Sequence, residues 1–89
     1  MAWTIEFDPA ASKDLTKLDR QIQREILDYL DYRIAVAKDP RDFGKPLRGD
    51  RFGLWRFRVR DYRIICEIQD GRLLVLVVAI GHRSTIYEM

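Results

Sequence analysis

The sequence contains a single cysteine, Cys66, and a single histidine, His82. One thiol cannot close an intramolecular disulfide, and such sparse cysteine usage is typical of proteins kept in a reducing compartment. One cysteine and one histidine are also too few for a zinc site with the usual set of ligands. We therefore expect a cytoplasmic protein that holds no metal ion and needs no cofactor.

Long apolar segments and targeting signals are also missing. The longest uninterrupted apolar run, residues 73–80, has eight residues, whereas a membrane-spanning helix needs about 20. The first residues form neither a basic segment nor an apolar one, so we expect no secretory leader. Phosphate-binding glycine loops and the strained serine turn of many hydrolases are absent as well. These absences argue against a membrane partner and against the commonest nucleotide-dependent activities.

Positive charge is concentrated in one quarter of the chain. Residues 41–63 carry eight Lys and Arg against three Asp and Glu, whereas residues 1–40 carry six against eight. The full length of 89 residues suits one domain, residues 1–89, with a core of its own. A basic cluster on such a domain predicts a polyanionic partner.

The N-terminal half predicts a strand and two helices. Residues 3–7 alternate apolar and polar side chains, which is typical of a strand. Asp8 followed by Pro9 is a helix start, and the short helix should turn Leu15 and Leu18 inward. Asp19 can cap a second helix that ends before Pro40. The apolar residues of this second helix recur at the three- and four-residue spacing of an amphipathic helix: Ile22, Ile26, Leu27, Leu30, Ile34 and Ala37.

The C-terminal half predicts an antiparallel meander of three strands, at residues 54–59, 62–68 and 73–80. Turns are expected at Arg60-Asp61 and Asp70-Gly71, an irregular loop at residues 41–53, and the end of the last strand at Gly81. The fold class is therefore α+β: an N-terminal strand, a two-helix hairpin, then an antiparallel three-stranded meander, with the helices on one face of the sheet.

Arginines are predicted to cluster on the other face of this sheet. Since side chains alternate along a strand, Arg56 and Arg58 point away from the core, and a two-residue turn pairs Arg58 with Arg63. Arginines on an exposed strand are often only solvated, but three like charges on one face oppose folding and favour a bound anion. The opposite, core-facing positions hold Trp55, Phe57 and Val59, and later Cys66, a small buried apolar side chain.

The last strand is apolar on both faces. Alternation leaves half of its side chains without cover from the helices, and a bound partner segment would provide some. These side chains are Leu74, Leu76, Val78 and Ile80.

The tail after this strand contains His82, Arg83 and Tyr87. Histidine titrates near neutral pH, although a lone histidine or a C-terminal tyrosine more often has a structural role. Beside three arginines, the tail residues could complete a phosphoryl-transfer site.

Several segments together resemble the RelE branch of the RelE/ParE toxin superfamily. They are GKPLRG at residues 44–49, GLWRFRVRDYRII at 53–65 and VVAIGHR at 77–83, with Tyr87 behind them. FDPAA at residues 7–11 and DLTKL at 14–18 also fit, so the resemblance covers essentially the whole chain.

The resemblance implies the toxin of a type II toxin–antitoxin pair with a RelE/ParE-like fold. RelE-like toxins enter the ribosomal A site and cut mRNA there, without a metal ion, by attack of a ribose 2′-hydroxyl on the adjacent phosphate. The implied partners are a cognate antitoxin, the ribosome and its mRNA, and operator DNA only through the antitoxin complex.

The resemblance also implies roles for individual residues. The family's basic residues map onto Arg56, Arg58 and Arg63, which would bind the phosphate, with Arg83 near the leaving oxygen. Because arginine stays protonated, the proton would be taken by Tyr87 or His82. The remaining basic residues of the cluster are expected to bind RNA: Lys45, Arg48, Arg51 and Arg60.

Two other functions stay open at this point. One is a ParE-like toxin that inhibits DNA gyrase by binding to it. The other is an inactive regulatory partner that only binds an antitoxin.

Overall fold

The computed structural model describes residues 2–85. Its N-terminal part contains the predicted strand and two helices. Strand β1 is Thr4–Phe7, helix α1 is Pro9–Thr16 and helix α2 is Arg20–Tyr29. The side chain of Asp8 accepts the Ala11 N–H at 2.8 Å, and that of Asp19 accepts the Ile22 N–H at 3.1 Å. Both predicted helix caps are confirmed, because each satisfies an N–H that the first turn leaves without a helical partner.

Helix α2 continues into a π-helical turn, Leu30–Ile34, in which the Ala35 N–H reaches back to the Leu30 carbonyl at 2.8 Å. Ile26, Leu30 and Ile34 are fully buried along this path. Leu27 was expected on the same face but is 37% exposed. The reason is geometric: each step along an α-helix turns the side chain by about 100°, so Leu27 points away from the stripe that contains its neighbour Ile26.

The predicted meander is confirmed as β3 (Leu54–Val59), β4 (Tyr62–Gln69) and β5 (Leu74–His82). Within the described residues, two further strands extend it to a five-stranded sheet in the order β1-β5-β4-β3-β2. Strand β1 lies parallel to β5, with Ile5 opposite Val75. The architecture is α+β, with the expected element order and a larger sheet than the three-stranded meander alone.

Strand β2 (Lys45–Pro46) lies in the segment that was predicted to be an irregular loop. It pairs with β3 at the edge of the sheet, between the 3₁₀ turns Pro40–Phe43 and Gly49–Arg51. Gly44 allows this pairing, because a Cβ at this position would lie 2.8 Å from the Phe57 ring and 3.1 Å from the Arg56 carbonyl oxygen. Proline is tolerated in an edge strand, where its missing N–H disrupts no ladder on the outer side.

A β-bulge between β4 and β5 changes which side chains of β5 face the core. The register shifts by one residue at Ile65 and Cys66. As a result Ile80, which was expected on the uncovered face, packs in the core with 4% exposure, next to Val77 at 0%. The Ile80 N–H donates to the Asp14 carboxylate of α1 at 3.1 Å. A helix side chain therefore satisfies this backbone N–H close to the bulge.

Other details of the last hairpin also differ from the prediction. Asp70–Arg72 form a 3₁₀ turn, and Leu73 takes a left-handed conformation (φ 47°), so the connection is longer than a two-residue turn. Leu74 needs no partner to cover it, since only 3% of its surface is exposed. Strand β5 continues through Gly81 to His82.

The core lies between the two helices and the facing side of the sheet. Its largest fully buried side chains include Phe57, Ile26 and Leu30, and the Cys66 thiol is buried among them. No helix formed by residues 2–85 combines the length and apolar character needed to cross a bilayer.

Candidate functional site: an arginine pocket on the sheet

The β3–β4 hairpin has the register that its sequence predicts. Val59 is opposite Tyr62 and Arg58 is opposite Arg63. Arg60 allows the tight turn by adopting a positive φ of 54°. Phe57 and Val59 are buried, and the alternation therefore places the arginines on the other face of the sheet.

Three arginines of the hairpin line one concave pocket of about 160 Å³. We call it the arginine pocket; its lining residues are Phe43, Gly44, Lys45, Arg56, Arg58 and Arg63. Lys45 is part of the pocket lining because β2 pairs with β3, which places Lys45 opposite Arg56. The expected clustering of Arg56, Arg58 and Arg63 on one face is therefore confirmed, and the edge strand adds a fourth cation.

Backbone carbonyls of the turn hold two of these guanidinium groups. Arg58 Nε donates to the Arg60 carbonyl at 3.2 Å. Arg63 Nη1 lies 3.5 Å from the same oxygen and 3.4 Å from the Tyr62 carbonyl. Among residues 2–85, no carboxylate lies within ion-pair distance of Arg58 or Arg63. Both side chains are thus oriented by neutral acceptors, and within residues 2–85 no carboxylate offsets their positive charge.

Arg60 differs from its neighbours, although it was expected to bind RNA with them. Its Nε forms an ion pair with Glu25 of helix α2. This hydrogen bond holds the pKa of the Glu25 carboxyl below its ordinary value. The Arg60 side chain is therefore drawn toward the helices, while its carbonyl oxygen orients Arg58 and Arg63.

Arg41 joins two loops through contacts that the sequence did not reveal. Its guanidinium binds both carboxylate oxygens of Asp70, with Nη1–Oδ1 at 3.0 Å and Nη2–Oδ2 at 2.6 Å. It also contacts Asp39 at 3.3 Å and lies 5.8 Å from the centre of the Trp55 ring. The hydrogen bond to Arg41 lowers the pKa of Asp70. The two partners are 29 residues apart, so no local spacing signals the pair.

His82 lies on the helix side of the sheet, away from the arginine pocket. It is opposite Tyr62, and the two rings meet edge to face with centres 5.6 Å apart. The Ser84 N–H donates to His82 Nδ1 at 3.2 Å, and the Ser84 hydroxyl lies 2.8 Å from the same nitrogen. The structure therefore does not bring this ring together with Arg58 and Arg63.

Arg83 lies at the end of the sheet, next to the β3–β4 turn. Its N–H donates to the Asp61 carbonyl at 2.7 Å, and its Nε lies 3.8 Å from the Asp61 carboxylate. It is well exposed and is not part of the pocket lining. Tyr87, the other candidate from the tail, lies outside the described residues.

The remaining basic candidates lie on the loop between β2 and β3. Arg48, which directly precedes the 3₁₀ turn Gly49–Arg51, is exposed, and Arg51, its last residue, is half-buried; neither lines the pocket. Cys66 offers no reactive group, because burial raises the pKa of its thiol far above the ordinary value. In the part of the chain that the structure describes, no three His, Cys, Asp or Glu side chains are grouped so that they could hold a metal ion.

Comparison with known proteins agrees with this fold. The family of ParE toxins of type II toxin–antitoxin systems matches residues 5–87. The chain belongs to this family of toxins. Toxin RelE of Mycobacterium tuberculosis is 34% identical over 85 residues, covering 96% of this chain and 86% of that protein. The mRNA interferase toxin RelE of Escherichia coli is 29% identical over 92 residues, covering 99% and 93%.

A solved structure matches the whole architecture. The toxin–antitoxin complex RelBE2 of M. tuberculosis contains a chain that superposes with a TM-score of 0.86 and 27% sequence identity. The match covers 94% of each chain. The predicted RelE-like fold is thereby confirmed.

Proposed function

We propose that this toxin is an mRNA endonuclease that cuts in the ribosomal A site and so inhibits translation. The observation that carries the proposal is the arginine pocket, where Arg58 and Arg63 converge without a carboxylate partner among residues 2–85. Its support from relatives is that the E. coli toxin, 29% identical to this chain, is named an mRNA interferase.

The proposed chemistry is attack of a ribose 2′-hydroxyl on the adjacent phosphorus. The new O2′–P bond forms while the bond to the 5′-oxygen of the next nucleotide breaks, and the 2′-hydroxyl proton is lost as the 5′-oxygen gains one. Negative charge builds on the non-bridging oxygens in the transition state. The guanidiniums of Arg56, Arg58 and Arg63 are suited to stabilise that charge, and those of Arg58 and Arg63 are already oriented by turn carbonyls before the reaction.

The nucleophile belongs to the substrate and the arginines supply the positive charge, so the proposed step uses no metal ion or cofactor. Arginine cannot accept the 2′-hydroxyl proton, since the guanidinium group stays protonated. His82 faces the other side of the sheet, with Nδ1 bonded to Ser84. On the family resemblance, we therefore propose that Tyr87 accepts the 2′-hydroxyl proton and that Arg83 lies near the leaving oxygen.

The surrounding basic side chains would hold the flanking RNA. Lys45 lies in the pocket wall, and Arg48 and Arg51 lie on the adjacent loop, where they can contact backbone phosphates. For Arg60 we propose a supporting role through its carbonyl oxygen, because its side chain is paired with Glu25.

We also propose a cognate antitoxin as the partner of this toxin in the cytoplasm, with operator DNA contacted only through that complex. The supporting observation is that the M. tuberculosis structure with a TM-score of 0.86 is a toxin–antitoxin complex. Leu76 and Val78 of β5 are partly exposed and could receive an apolar antitoxin segment.

Ribosomes programmed with a defined mRNA test the proposal directly. The wild-type protein should cut the message at the A-site codon, and the Arg58→Ala variant should cut about 100- to 1000-fold more slowly, as expected for loss of one transition-state donor. The Arg72→Ala variant is the matched control. Arg72 is an exposed arginine that donates a hydrogen bond to the Gln69 side chain and does not line the pocket. Intact message with the wild-type protein would refute the proposal.

A second candidate function is inhibition of DNA gyrase, which the ParE description of the matching family favours. A supercoiling assay with purified gyrase separates the two, and we expect no inhibition. A protein that neither cuts mRNA nor inhibits gyrase, yet binds its antitoxin, would be the regulatory partner instead.

A further inference from the structure

Phe43 is an aromatic side chain in the wall of the arginine pocket that the proposed chemistry does not use. It is the last residue of the 3₁₀ turn Pro40–Phe43, and it lines the pocket together with Lys45, Arg58 and Arg63. The side chain is 43% exposed. A single exposed aromatic residue is ordinary on a protein surface, so its position beside the phosphate-binding groups is what gives it meaning.

The turn that carries Phe43 is held in place on both sides. At its start the Asp39 carboxylate accepts the Arg41 N–H at 3.0 Å, and at its end the Gly44 N–H donates to the Arg41 carbonyl at 3.2 Å. The guanidinium of Arg33 lies 5.5 Å from the centre of the Phe43 ring. These contacts hold the backbone of the turn and place the Arg33 guanidinium over the Phe43 ring.

Close packing also positions the backbone next to Phe43 at the edge of the sheet. Next to Phe43, the Gly44 backbone lies so near β3 that a Cβ would come within 2.8 Å of the Phe57 ring. Phe57 is fully buried and cannot yield easily. The turn therefore cannot slide along the edge of the sheet without disturbing the core.

We propose that Phe43 is a stacking platform for one nucleobase of the RNA whose phosphate occupies the arginine pocket, and that it contributes to base preference at the cut site. This inference rests on the proposed function. Sites for single-stranded nucleic acid combine a basic surface that follows the backbone with aromatic side chains on which bases stack. Phe43 and the arginines meet both requirements within one pocket of about 160 Å³. Purines offer the larger stacking surface and should be favoured.

The test compares the Phe43→Ala, Phe43→Leu and Phe43→Trp variants in the programmed-ribosome assay, with A-site codons that differ only by purine or pyrimidine at each position. Stacking on an aromatic residue predicts that Phe43→Ala slows cleavage about tenfold at the favoured purine position. It also predicts that Phe43→Ala loses less of the cleavage rate when the same position holds a pyrimidine. The Phe43→Trp variant should recover the cleavage rate at the purine position, whereas Phe43→Leu should not. A merely structural role would slow all codons equally and would lower the melting temperature.

Phe52→Ala is the matched control, since Phe52 is 88% exposed and does not line the pocket. It should cut like the wild-type protein. If the wild-type protein cuts and Phe43→Ala cuts equally well on every codon, the stacking inference alone is wrong. If Phe43→Ala loses only antitoxin binding, the ring is a protein contact and the inference is also wrong. If the wild-type protein does not cut, the proposed function itself has failed.

Discussion

The two faces of the β3–β4 hairpin are built from the same two strands but have opposite surroundings. On one face Phe57, Ile64 and Cys66 are fully buried beneath the helices. On the other face Arg58 and Arg63 are held by turn carbonyls in a solvent-accessible pocket. The first arrangement stabilises the fold by removing apolar surface from water. The second places like charges side by side, which opposes folding and supports the proposed role of this face in binding RNA.

The arginines themselves show the same division. Arg41 and Arg60 are neutralised within the chain by Asp70 and Glu25. Arg58 and Arg63 contact only carbonyl oxygens among the interactions described. Net charge alone would count all four equally, whereas the pairing separates those that join elements of the fold from those available to an anion.

The largest expected effect belongs to the buried face. Phe57→Ala should lower the free energy of unfolding by about 3–5 kcal/mol, because a fully buried ring would leave a cavity between sheet and helices. Denaturant unfolding followed by circular dichroism measures this change. A loss below about 1 kcal/mol would mean that the core does not depend on this ring. Trp55→Ala, at a half-buried position of the same strand, is a useful comparison.

Substitution on the opposite face should separate activity from stability. Arg63→Ala is expected to slow mRNA cleavage about 100-fold, through the loss of a guanidinium that stabilises the transition state. Its free energy of unfolding should stay within about 0.5 kcal/mol of wild type or rise slightly, since a like-charge pair with Arg58 is removed. Parallel cleavage and thermal-melting measurements check this. If Arg63→Ala lowered stability as strongly as it slowed cleavage, the two faces of the hairpin would not have separate roles.

The smallest effect concerns the paired arginines and depends on pH. The pKa of Asp70 is lowered in the folded chain by its hydrogen bond to Arg41. A lowered folded-state pKa stabilises the protein above the ordinary carboxyl value of about 3.9 and loses that contribution as pH falls through the folded value. The Asp70→Asn variant should therefore melt slightly below wild type at neutral pH, with a gap that closes under acid conditions. Since both partners are partly exposed, added salt should also narrow the gap.

Much of the hairpin could be predicted from the sequence because its signals are local. The alternation over residues 54–59 and the two-residue turn at Arg60-Asp61 together determine that Arg58 meets Arg63. The caps at Asp8 and Asp19 are likewise local, since each bonds an N–H three residues ahead.

The features that were missed depend on contacts between distant residues. Strand β5 is apolar at almost every position, so its sequence contains no sign of the bulge that turns Ile80 into the core. Arg60 reaches Glu25 across 35 residues, and Arg41 reaches Asp70 across 29. The two-residue strand β2 is too short to produce a periodic pattern. Its place depends on the absence of a side chain at Gly44 rather than on any property of its own residues.

The contact at Gly44 makes the core and the arginine pocket share a wall. Its backbone touches the buried Phe57 ring on one side, and its neighbours Phe43 and Lys45 line the pocket on the other. Variants that repack the core around Phe57 will therefore also change the width of the pocket. Substitutions of Phe57 are therefore expected to disturb the proposed RNA site as well as the core, whereas substitutions of the pocket arginines leave the packing around Phe57 unchanged.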